Sequence, residues 1–80
     1  MNKIVLAKKQ ILKIIFENKD KFISIGPEIQ DMIDTRMGGC MGCYNKTVNA
    51  KLDNLLSKYN TEVLNKIGEM LNGVIEIYPH

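Results

Sequence analysis

A β-strand cannot satisfy its own backbone, and one strand-like run closes this otherwise helical sequence. Val74, Ile75, Glu76, Ile77 and Tyr78 are β-branched or aromatic at four of five positions, set off by Asn72-Gly73 before them and Pro79 after them. The run needs a mate. Within the chain the candidate is the short apolar stretch 22–25, Phe22 to Ile25, stopped by Gly26-Pro27; otherwise the mate belongs to another chain, by strand addition. Residues 1–80 are therefore expected as a single small helical domain, with residues 73–80 as a C-terminal extended arm.

The remaining segments carry the 3.6-residue period. Residues 2–19 place Ile4, Ala7, Ile11, Ile14 and Ile15 on one side, flanked by Val5, Leu12 and Phe16, with Lys9, Lys13 and Glu17 opposite. A strand is conceivable for the Ile4-Val5-Leu6 start, but length and period favour one helix throughout. Its apolar arc spans roughly 200°, against ~100° for an ordinary surface helix, so it should touch more than one neighbour. A second helix is expected from Pro27, where a fixed φ suits the first turn and Glu28 complements the positive helix end. Ile29, Met32, Ile33 and Met37 would face inward, and Gly38-Gly39 would end it near Arg36. A third helix over residues 43–58 aligns Tyr44, Val48, Leu52, Leu55, Leu56 and Tyr59. Asn60 or Thr61 can cap a fourth, with Val63, Leu64, Ile67, Met70 and Leu71 as its apolar face. Gly68 costs about 1 kcal/mol against Ala inside that helix, so either a neighbour approaches closely there or the helix is weak. The fold class is mainly α, a small bundle of about four short helices with a C-terminal extended strand or arm.

One local motif carries chemistry. Cys40 and Cys43 form a C-x-x-C inside Gly38-Gly39-Cys40-Met41-Gly42-Cys43, a glycine-rich turn before a helix. Two thiols at this spacing can converge on one point, to pair with each other or to offer two sulfurs to a metal. As a zinc site it is half a site, which a homodimer donating four Cys would complete, since His80 is the one further conventional ligand. As a redox dithiol it would draw a lowered thiol pKa from the helix N-terminus. Against both stands the ordinary outcome: small apolar thiols packed in a tight turn, reduced and inert. Zinc at Cys40 and Cys43 is kept as the possible cofactor, with none expected otherwise.

Other chemistries are poorly supplied. With one His and no Trp, and with Ser24 and Ser57 far in sequence from His80, no nucleophile and base come together. Asp31 and Asp34, three apart on one helix, could hold a hard cation, yet such pairs are usually a solvated face. Gly38, Gly39 and Gly42 lack the Lys-Ser/Thr of a phosphate loop. A helix-turn-helix reading would aim Asn45, Lys46, Thr47, Asn49 and Lys51 at a DNA groove. The connection from Met37 to about Gly42 is longer than the usual turn, however, and a net charge of +2 attracts phosphate weakly. Nucleic acid is not the expected partner, nor is a membrane, because the longest unbroken apolar run is four residues, far below the ~18 of a span.

What remains is a contact-making protein. A chain of 80 residues buries only about 60–65% of its unfolded surface, so a protein partner, in a homo- or hetero-oligomer, is expected to supplement its core. The side chains assigned to that contact are Val74, Ile75, Ile77 and Tyr78 of the arm and Val5, Leu12 and Phe16 of the first helix. The expected role is a non-enzymatic interaction or assembly subunit, such as a small structural or adaptor protein of a virus particle. Its composition, rich in Ile, Lys and Asn with A/T-rich codons, fits that setting. The alternative is the C-x-x-C module, zinc-bridged or redox-active. No signal peptide is visible, since Lys8, Lys9, Gln10 and Lys13 break the N-terminal apolar stretch, so the cytoplasm or a virion is the expected location.

Overall fold

The computed structural model describes residues 2–37 and 46–78. The chain begins with strand β1 (Asn2–Leu6), then forms helices α1 (Lys8–Glu17) and α2 (Lys19–Phe22) and a 3-10 turn (Ile23–Ile25). Helices α3 (Pro27–Met37) and α4 (Lys46–Leu71) follow, and strand β2 (Gly73–Ile77) completes it. The protein is mainly α, with four helices among the described residues and a C-terminal strand. No helix among them is long and apolar enough to cross a membrane.

The expected helix over residues 2–19 is instead a strand followed by a helix. β1 pairs with β2 in parallel, Asn2 opposite Gly73 and Leu6 opposite Ile77. The entire helical body thus serves as the crossover that a parallel pair requires. Residues 2–6 satisfy both periods: Ile4 and Leu6 point inward and Lys3 and Val5 outward at a spacing of two, while Ile4, Ala7 and Ile11 also fit a helix. Pairing with β2 decides between them. Ala7 is extended (φ −73°, ψ 157°) and starts α1, its carbonyl accepting from the N–H groups of Gln10 (2.9 Å) and Ile11 (3.0 Å). The Gln10 side chain closes the turn by accepting from the Ala7 N–H at 2.8 Å, half of a capping box. The stretch expected to mate with the C-terminal strand, Phe22 to Ile25, is the end of α2 and the 3-10 turn. Phe22 is wholly buried there. Apolar β-propensity is overridden because β2 already has its partner in β1.

The other elements follow the local signals. α3 starts at Pro27 and buries Ile29, Met32 and Ile33. α4 buries Val48, Leu52, Leu55, Leu56, Val63 and Ile67, and its one non-helical residue is Tyr59 (φ −124°, ψ 32°). The expected break before Asn60 is therefore a kink within one long helix. Asn72 ends α4 in the left-handed region (φ 56°), where Asn is tolerated better than other side chains.

Gly68 resolves as a close approach. A Cβ there would lie 2.6 Å from the Gly73 carbonyl oxygen, and a Cβ on Gly73 would lie 2.6 Å from Ile4 Cδ1 and 2.7 Å from the Asn2 oxygen. The two bare backbones let β2 fold back onto α4 while β1 lies on its other side. Ile75 and Leu6 then reach the core that Ile11, Leu12, Ile15, Phe22, Ile29 and Leu52 fill from the helices.

Candidate functional site

Alternation along the two strands sorts their side chains into two sets. Ile4, Leu6, Ile75 and Ile77 face the helices, whereas Lys3, Val5, Val74, Glu76 and Tyr78 face outward. On that outer face Val5 and Val74 are each 50% exposed and Tyr78 49%. Lys3 Nζ bridges to Glu76 Oε2 at 3.0 Å across the strands, next to these side chains. Both ions are well exposed, so the bridge orders the face more than it stabilises the fold. Three of the five large apolar side chains exposed among the described residues lie on this single face; the others, Ile23 and Leu71, stand apart in the sequence.

Of the side chains assigned to partner contact from sequence, Val5, Val74 and Tyr78 come together here. Leu12 and Ile75 do not: at 1% and 7% exposure they belong to the chain's own core. Phe16 and Ile77 are half-buried and pack against that core. The wide apolar arc of α1 is covered from within, since Ile11, Leu12 and Ile15 are buried and Ile14 and Phe16 pack beside them. The arm is likewise a paired strand. Its Tyr78 N–H donates to the Leu6 carbonyl at 2.8 Å.

A groove of about 680 Å³ runs beside β2, lined by Leu64, Asn65, Gly68 and Glu69 of α4 and by Asn72 to Ile75. No β1 residue lines it, which puts it on the side of β2 away from β1. Glu69 is its one charged lining residue among the described residues.

A second cluster joins α3 to the kink of α4. Lys58 Nζ donates to Glu28 Oε2 at 2.7 Å, and Lys51 pairs with Asp31 further along the same two helices, which run antiparallel. The Tyr59 ring lies on Gly26, where a Cβ would meet its Cζ at 2.6 Å. The Lys58 ammonium holds the Glu28 carboxyl below the ordinary range, helped by the Glu28 backbone N–H and the Tyr59 hydroxyl. Glu28 in turn raises the pKa of Lys58 and, from beside the phenol, that of Tyr59. Glu28 Oε1 is buried with no hydrogen-bond partner among the described residues. With Glu28 and Lys58 both driven further into their charged forms, neither is poised to exchange a proton near neutrality, as a general acid or base must be. The cluster is a clamp.

The sign of its pH dependence follows. A carboxyl with a lowered folded-state pKa stabilises the fold above its ordinary value of 4.5, and that contribution is lost as pH falls below 4.5 through the lower folded value. Glu28→Gln is accordingly expected to melt lower than the parent at pH 6 and to lose less on acidification to pH 3. Parallel melting curves for the two proteins across that window check it, and equal slopes would remove the clamp.

The remaining sequence candidates are not assembled into a site among the described residues. Asp31 accepts from Lys51, and Asp34 accepts from Gln30 Nε2 at 2.7 Å, so the two carboxylates serve different partners. Lys51, one of the side chains a DNA-reading helix would present, is turned to Asp31. No group of three or more His, Cys, Asp or Glu side chains is placed to hold a metal among the described residues. Cys40, Cys43 and His80, and with them the zinc and dithiol readings, lie outside the described residues. No protein-family model matches the chain, and comparison with curated proteins and with solved structures finds no relative.

The outer face of the sheet was half legible in sequence. The arm was assigned to contact whole, Val74, Ile75, Ile77 and Tyr78 alike, and Val5 as part of a helix, so the side chains that share the face could be separated only once residues 2–6 are known to be a strand paired with β2. The clamp had no sequence signal beyond Glu28 at a helix start, because Lys58 is brought to it only by the packing of α3 on α4.

Proposed function

We propose that this protein is a non-enzymatic contact-making subunit that engages other proteins through its two-stranded sheet. One observation carries the reading: Val5, Val74 and Tyr78 stand half-exposed together on one face of a sheet whose other face closes the core. Apolar side chains grouped on a rigid face mark an interaction surface better than the same side chains scattered singly. The patch is small. Five residues by two strands measure about 17 by 10 Å, or roughly 170 Å² in projection, against the ~800 Å² per partner of a standard interface. The contact is therefore weak by itself, suited to a multi-copy assembly in which many such contacts add, or it extends beyond the face onto the strand edges. A small structural or adaptor protein, in a virus particle or the cytoplasm, is the setting we propose, supported by the chain's size and composition.

Self-association tests it. Face-to-face packing of two outer surfaces keeps the helical bodies on opposite sides, so copies can meet without collision. Light scattering on the full chain up to about 1 mM is expected to show mass rising with concentration, in the range that weak interfaces occupy. Val5→Lys with Val74→Lys should abolish the rise while leaving the circular dichroism spectrum intact. Cys40→Ser with Cys43→Ser should leave it unchanged, whereas a zinc-bridged dimer would fall apart. A strictly monomeric mass throughout would refute the assembly role.

A further inference from the structure

We propose that Asn72-Gly73 is a site of spontaneous self-modification, at which the asparagine cyclises, deamidates and thereby releases β2 from α4. No other asparagine in the sequence precedes a glycine. Glycine leaves its own main-chain nitrogen open to approach, because it has no Cβ to shield it. The Gly73 nitrogen, giving up its proton, bonds to Cγ of Asn72, and the Cγ–Nδ2 bond breaks to release ammonia. Water then opens the five-membered succinimide ring at either carbonyl. One opening leaves aspartate; the other leaves isoaspartate, in which the main chain runs through the side-chain methylene. The sum is the hydrolysis of an amide, and it needs no oxidant, reductant or cofactor.

Residue type makes the reaction conceivable, and the backbone of Asn72 prepares it. A planar ring puts the Gly73 nitrogen in line with Cβ of Asn72, which fixes ψ near about −120°; with φ near about +60° this is the first corner of a type II′ turn. With an ordinary negative φ the same ψ lies outside the allowed regions. Asn72 already holds φ 56°, the one positive value at a non-glycine residue among the described residues, so cyclisation asks for rotation about its Cα–C bond alone. The nucleophile is not held by the sheet. In a parallel ladder alternate residues turn to the same side, and since the Tyr78 N–H donates to Leu6, Val74 and Glu76 also turn toward β1 and Gly73 turns away. Asn72 is exposed, and both residues line the open groove of about 680 Å³, which gives water access to the ring.

The same junction seats the strand. Gly73 lies so close to Gly68 on one side and to Asn2 and Ile4 on the other that neither glycine has room for a Cβ. Isoaspartate inserts an extra methylene into the main chain one residue earlier, which displaces Gly73 from this seat. Either product also places a carboxylate at the C-terminal end of α4, where the helix dipole disfavours an anion, three residues after Glu69.

The full chain, kept folded in warm, mildly alkaline buffer for weeks, is expected to yield a form with one added negative charge on ion exchange. Peptide mapping should find aspartate and isoaspartate at position 72, and the folded chain should react at no less than a third of the rate of the chain unfolded in urea. Asn72→Gly, which keeps a positive φ open but has no carboxamide, should fold as the parent does and give no such form. In the separated acidic form the Tyr78 amide should exchange at least tenfold faster than in the parent, while those of Ile29 and Leu52 keep their protection. A folded chain that reacts more slowly than that third overturns the proposal, because β2 then holds the junction shut. Modification at other asparagines in place of Asn72 overturns it too, as does an acidic form whose Tyr78 amide stays protected. None of these readouts depends on self-association, so this inference and the contact role stand or fall separately.

Discussion

Phe22→Ala is expected to lower the unfolding free energy by about 3–5 kcal/mol, the usual cost of emptying a phenylalanine site in a packed core. Phe22 has no exposed surface and sits where α2 gives way to the 3-10 turn, among Ile11, Ile15, Ile29 and Leu52 in the same core. Domains of this size hold roughly 4–12 kcal/mol in total, so the substitution removes a large share and leaves some preparations mostly unfolded. In a thermal melt the shift should be about 15–30 °C, since each kcal/mol moves the midpoint of a chain this short by several degrees. Ile23→Ala is the control: its side chain is 38% exposed and should cost well under half as much. If the two melt together, Phe22 is not the core residue described. A partner-facing or strand-edge role for the stretch after it would then return to consideration.

The contrast between these neighbouring residues shows what the sequence discloses. Signals that act locally were legible. Pro27 and Glu28 announce α3, Asn72-Gly73 ends α4, and the polar pair Asn60-Thr61 marks where α4 kinks, one residue late. Each reflects backbone chemistry within a turn of the residue itself. Signals settled by distant partners were not legible. Residues 2–6 fit both a helix and a strand until β2, at the far end of the chain, supplies a ladder. Phe22 to Ile25 reads as a strand by composition but is drawn into the core as helix and turn. The contact residues divide in the same way. Helical period groups Leu12 with Val5, and apolar composition groups Ile75 with Val74, and only the packing shows that one of each pair is covered by the chain's own helices.

Gly68→Ala separates local preference from that packing by the sign of its effect. In the interior of a helix, alanine in place of glycine stabilises by about 1 kcal/mol, so propensity alone requires a higher melting temperature. The structure requires a lower one. The added methyl would sit 2.6 Å from the Gly73 carbonyl oxygen, a backbone atom that cannot rotate away, and Gly73 is itself held by Asn2 and Ile4 on its other side. To admit the methyl, β2 must lift from α4 and carry β1 with it. Overpacking of this kind costs about 1–3 kcal/mol or more, and because here it falls on the seat of both strands we take the upper part of that range, for a net loss of about 2 kcal/mol. The melting midpoint should fall by roughly 8–16 °C. Amide exchange locates the damage: Tyr78, whose N–H is bonded to Leu6, should lose protection before the α3 and α4 amides around Ile29 and Leu52. A rise in midpoint would mean that β2 does not lie on α4 at Gly68. The groove beside it and the open edge it borders would then lose their geometry, so this one methyl tests the foundation of the sheet as a contact surface.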